Sequence, residues 1–105
     1  MLFKLFETLQ EMEIKLQNNQ PRLVVVANKN ICVVRQGKGL TAFENECPHM
    51  GEGLSGGLIN FMNEIVCPLH SYKFNLHNGE EESRRCPTLK FIVVEFNSEG
   101  VFLDL

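Results

Sequence analysis

The chain has no tryptophan and a single tyrosine, Tyr72. It also lacks a basic excess, since ten Lys and Arg stand against thirteen Asp and Glu for a net charge of −3. A surface that neutralises phosphates needs surplus positive charge, so nucleic acid is not an expected partner. Long hydrophobic runs are missing. The longest, Leu23–Ala27, falls far short of the ~20 apolar residues of a membrane span, so no membrane partner is expected. Glu7, Glu11 and Glu13 break up the N-terminal segment, which leaves no secretory-leader pattern. The expectation is a cytoplasmic chain, mature as written. Nothing in it demands more than a monomer.

At 105 residues and 44% apolar content, the chain suits one domain, residues 1–105, and is too apolar to be disordered. Short β-branched runs predict strands over Arg22–Ala27, Ile31–Arg35 and Leu40–Phe43. Four more are predicted over Glu64–Cys67, Tyr72–Phe74, Phe91–Phe96 and Val101–Leu105. Asn28-Lys29-Asn30, Gln36-Gly37-Lys38-Gly39 and Asn97-Ser98-Glu99-Gly100 read as turns. Phe3–Phe6 adds a first strand, and Thr8–Lys15 a short helical or irregular connection. The fold class is all-β, an antiparallel barrel or sandwich. Residues 44–90 interrupt the pattern and hold three of the four prolines and all three histidines. An irregular stretch of that length calls for a functional or metal-bound explanation.

Four cysteines in a small chain mean either two disulfides or metal ligands, and a reducing compartment favours ligands. Cys47 and Cys67 each have a histidine close by, in Cys47-Pro48-His49 and Cys67-Pro68-Leu69-His70. Seventeen residues separate His49 from Cys67. Each cluster offers one thiolate and one imidazole, a donor set suited to iron or zinc. Zinc fingers commonly pair cysteine with cysteine and histidine with histidine. The mixed pairing here matches a [2Fe–2S] centre with both cysteines on one iron and both histidines on the other. Cys32 reads as a buried strand residue and His77 as a surface histidine, while Cys86 is left without a ligand role. Glu80-Glu81-Glu82 with Arg84-Arg85 reads as a solvated charged loop, or as a patch that orients a partner.

The sequence resembles the Rieske iron–sulfur family. The residues that carry the resemblance are Cys47-Pro48-His49-Met50-Gly51, Cys67-Pro68-Leu69-His70-Ser71-Tyr72-Lys73-Phe74, Asn78-Gly79 and Pro87. The resemblance implies a base of antiparallel sheets, from residues 1–43 and 91–105, with a smaller cluster-binding lobe at about 44–90. It implies Cys47 and Cys67 on the inner iron, and His49 and His70 on the outer, solvent-facing iron. It also places Pro87 in a loop covering the cluster. Met50 and Leu69 read either as local packing or as an apolar docking rim. Two ferric ions, two sulfides and two thiolates carry no net charge with neutral imidazoles, whereas four thiolates would leave a dianion. Reduction is correspondingly easier.

Departures from the family's variants narrow the choice. Membrane-complex members carry a second cysteine in each loop, where this chain has Glu52 and Leu69. High-potential members donate serine and tyrosine hydroxyls from two and four residues after the second histidine. Here those positions are Tyr72 and Phe74, and Ser71 stands where glycine is usual. Fewer donors stabilise the reduced charge less, which predicts a potential toward the lower end of the roughly −150 to +300 mV range. Ring-hydroxylating oxygenases add a catalytic iron, for which only His77 remains. The expectation is a soluble Rieske-type ferredoxin, not itself an enzyme. It would carry one electron from a flavin- or NAD(P)H-dependent reductase to a terminal oxygenase. The alternatives are the small subunit of an assimilatory nitrite reductase, partnered by its large subunit, and a zinc-stabilised binding module.

Overall fold

Four consecutive residues of one strand, Ile31-Cys32-Val33-Val34, are all buried. A strand does this only when both of its faces are covered. The computed structural model, which describes residues 1–105, shows how. In chain order the strands are β1 (Leu2–Phe6), β2 (Arg22–Val26), β3 (Lys29–Gln36), β4 (Gly39–Glu44), β5 (Leu58–Ile59), β6 (Glu64–Val66), β7 (Lys73–Asn75), β8 (Phe91–Asn97) and β9 (Gly100–Asp104). Six form an antiparallel sheet in the order β1-β9-β8-β4-β3-β2, and three form a second sheet, β5-β6-β7. The molecule is mostly β, with curled antiparallel sheets, as the short β-branched runs and glycine-rich turns predict.

Two cores lie on opposite sides of β3 and β4, and side-chain alternation assigns each residue to one of them. Ile31, Val33 and Ala42 face the base core, with Phe6, Val101 and Leu103 from β1 and β9. Cys32, Val34 and Phe43 face an inner core shared with Leu54, Ile65, Phe74, Cys47 and Cys67. The large sheet therefore curls so that β1 and β9 cover one face of β3, while the three-stranded sheet covers the other.

The helix α1 (Leu9–Lys15) forms where an irregular connection was the alternative. Thr8 caps it, its side chain accepting from Glu11 N–H at 3.0 Å, and Glu11 Oε1 accepts in turn from Glu7 N–H at 3.1 Å. Met12 and Leu16 anchor it in the base core. No helix is long and apolar enough to cross a membrane.

The sequence reading differs from the structure at turns and short elements. The β2–β3 turn is the two-residue Ala27-Asn28, both left-handed at φ 50° and 66°, rather than Asn28–Asn30, so Val26 pairs with Lys29. Strand β5 was not predicted, because two residues show no periodicity. Strand β7 begins at Lys73, after left-handed residues at His70 and Ser71.

Candidate metal centre

Two loops with the same closure present the Cys/His clusters. Cys47 N–H donates to the carbonyl of Glu52 at 2.8 Å, and Cys67 N–H donates to the carbonyl of Tyr72 at 2.8 Å. Each cysteine thus opens a six-residue loop that a hydrogen bond from its own amide closes. The proline after each cysteine has a fixed φ that suits a turn. Buried Asn45 braces the first loop from below. Its carbonyl accepts from Leu54 N–H at 2.7 Å and its Oδ1 from Ser55 N–H at 2.9 Å.

This folding sorts the four side chains by depth. Cys47 and Cys67 are 2% and 1% exposed, in the inner core. His49 is half-buried and His70 exposed, with ring centroids 5.7 Å apart. Burial raises the Cys67 thiol to about 11, and the neighbouring Cys47 adds to the shift. Such a thiol gives up its proton when a metal replaces it. The Nδ1 of His49 is buried and has no hydrogen-bond partner. An orphaned buried imidazole nitrogen demands a ligand, and an iron would supply one. Structural zinc needs four donors on one point, whereas a two-iron cluster takes them as pairs.

The structure adds three residues that sequence reasoning did not assign to the site. The Tyr72 ring stacks on His49 at 3.8 Å between centroids and 11° between planes. The Arg85 guanidinium lies 3.8 Å from the centroid of the same Tyr72 ring. Two groups that close cannot share a face, so Tyr72 is sandwiched between them. Arg85 is held by Glu81, whose Oε1 accepts from Nε at 3.0 Å and whose Oε2 accepts from Nη2 at 2.7 Å. Glu81 is 2% exposed and so departs from the reading of this segment as a solvated loop, while Glu82 and Arg84 are exposed as that reading has it. Its flanking residues run beside β7, with Asn75 N–H donating to Glu80 O and Glu82 N–H to Lys73 O, both at 2.9 Å. The one available signal was the lone tyrosine that ends the second loop.

The remaining candidates divide. Leu69 packs half-buried against the inner core, whereas Met50 is 61% exposed beside His49. Pro87 is exposed and lines a cavity of about 310 Å³ with Cys47, Pro48 and Gly51. Cys86 is half-buried against the inner core, and burial raises its thiol. Cys32 is fully buried and its thiol is pushed up to about 12, which leaves it inert. His77 is exposed.

A curled antiparallel base with two thiol–imidazole loops defines an all-β iron–sulfur protein. The chain belongs to the Rieske [2Fe-2S] domain family, whose model matches residues 5–93, and the cofactor of that family is a [2Fe–2S] cluster. It is 35% identical over 75 residues to a carnitine monooxygenase oxygenase subunit of Escherichia coli, a match covering 70% of this chain and 19% of the relative. The chain therefore spans about a fifth of the length of that curated relative. Among solved structures it is similar to the ferredoxin of carbazole 1,9a-dioxygenase from Nocardioides aromaticivorans, with TM-score 0.80 and 24% identity over 97% of this chain and 95% of the other. A complex of reduced oxygenase and oxidized ferredoxin in carbazole 1,9a-dioxygenase matches with TM-score 0.78 and 26% identity, over 97% and 91% of the two chains. A putative NADPH nitrite reductase small subunit matches with TM-score 0.77 and 17% identity, over 100% and 99%.

Proposed function

We propose that this chain is a one-electron carrier, with Cys47 and Cys67 on the inner iron and His49 and His70 on the outer iron of a [2Fe–2S] cluster. The observation that supports this most is the depth sorting, with both thiols at 2% exposure or less and His70 at the surface. When bound, the cluster takes up and releases one electron. Cys47 and Cys67 would hold it from the apolar inner core. His49 and His70 would hold it from the surface side, where exposed His70 would give the electron a short exit. Exposed Met50 and Pro87 form the apolar rim that a partner would meet.

The donor is a flavin- or NAD(P)H-dependent reductase and the acceptor a terminal oxygenase. The acceptor is supported by the oxygenase subunits among the relatives and by the ferredoxin–oxygenase complex. A second reading, small subunit of a nitrite reductase, is supported by the end-to-end match to such a subunit. Iron and acid-labile sulfide analysis tests the centre. Two irons and two sulfides per chain, lost together in Cys47→Ser and His70→Ala, are expected, and one zinc without sulfide would overturn it. A stable complex with a large sirohaem-containing partner would favour the second reading.

A further inference from the structure

We propose that Tyr72, backed by Arg85, is a positioning residue that fixes the ring plane of His49 and makes the two histidines of the centre inequivalent. The proposal rests on the reading of His49 and His70 as ligands. His49 is nearly parallel to Tyr72, at 11° and 3.8 Å, whereas its ring is tilted 59° from that of His70. A stacked imidazole cannot turn about its side-chain bonds without losing that contact.

Tyr72 is itself fixed on both sides. A guanidinium over an aromatic face is attracted to the ring's negative quadrupole, and its planar shape suits stacking. The guanidinium is in turn held by a carboxylate that can hardly move, since the Glu81 side chain is 0% exposed. Glu81 Oε1 also accepts from the Arg85 backbone N–H at 2.9 Å, which fixes both ends of the arginine. Glu81, Arg85, Tyr72 and His49 therefore form one chain of contacts, an ion pair followed by two face contacts, from the loop over residues 79–89 to the metal centre. Nothing comparable stacks on His70, which is exposed. A ligand ring with a defined plane has a defined overlap with the metal orbitals, and a freer one samples several.

The test is pulsed EPR of the reduced, cluster-loaded protein, reading the nitrogen hyperfine couplings of the two imidazoles. Tyr72→Phe keeps the stack and should keep the wild-type couplings. Tyr72→Leu and Arg85→Gln, at full iron and sulfide content, should shift the couplings of one imidazole and leave those of the other unchanged. Wild-type couplings in both variants, or an equal shift of both imidazoles as general loosening would give, would overturn the proposal. Should Tyr72→Leu not fold, Arg85→Gln decides alone by the same readings, because Arg85 is half-exposed. A chain that binds no iron and sulfide defeats the electron-carrier reading instead, and the two failures are thereby told apart.

Discussion

Gly51 and Ser71 occupy the same place in the two ligand loops. Each stands four residues after its cysteine, and each is left-handed, at φ 76° and 55°. Glycine meets that conformation without strain, whereas a serine there costs about 1–2 kcal/mol. The greater freedom of glycine in the unfolded chain offsets about 0.4–1 kcal/mol of the relief. Ser71→Gly should therefore stabilise the cluster-loaded protein by up to about 1 kcal/mol, seen as a higher thermal midpoint. An unchanged or lower midpoint would mean that the serine side chain compensates for the strain.

The ion pair of Glu81 and Arg85 makes a pH-dependent contribution. Hydrogen bonds from Arg85 are the main reason the Glu81 carboxyl falls from 4.5 to about 2. The other charges nearby are paired outward, Glu80 with Arg84 and Glu82 with Lys73. A carboxyl depressed on folding stabilises above its unfolded pKa, and that stabilisation is lost as pH falls through the folded value. Arg85→Gln should accordingly be less stable than the parent at pH 7. The deficit should shrink as pH drops from about 4.5 toward 2. Denaturant midpoints of the two proteins in cluster-free form, measured in parallel across that range because acid releases the sulfide of a cluster, check it. A deficit independent of pH would show that Arg85 contributes by packing alone.

Phe74 shares the inner core with both cysteines and is fully buried there. Phe74→Ala should cost about 3–5 kcal/mol through lost burial and the cavity left behind. Because Cys47 and Cys67 belong to the same core, iron content on purification should fall as well. A variant that loses stability but holds its full iron would separate the core from the centre.

Phe74 also brings no hydroxyl to the site, at a position where high-potential relatives donate one. The midpoint potential should lie in the lower part of the roughly −150 to +300 mV Rieske range. Protein-film voltammetry measures it directly, and a value well above zero would contradict the expectation.

Much of the fold is readable without coordinates because β-branched runs and turn residues are local signals. Ile31 to Val34 reads as a strand, and Leu40 to Phe43 as the next one across a glycine turn. The strand ends and β5 were not readable. A two-residue strand has no period, and Leu58–Ile59 exists only because β6 lies beside it. The centre was legible for a different reason. Thiolate, imidazole and proline at fixed spacing encode loop chemistry within a few residues, and the resemblance built on them supplied the pairing.

The sequence by itself determined the all-β class and the two Cys/His loops, since both rest on neighbours along the chain. It could not determine depth. Cys47 and Cys67 sink while His70 stays at the surface because the three-stranded sheet packs on the face of β3 opposite the base core. Nor could it distinguish Glu81 from Glu80 and Glu82. Three adjacent carboxylates look alike until the loop runs along β7, turning the middle one inward to Arg85 and the outer two toward water. Burial and stacking depend on residues far apart in sequence, and only the tertiary structure brings Glu81, Arg85 and Tyr72 into one chain of contacts against His49.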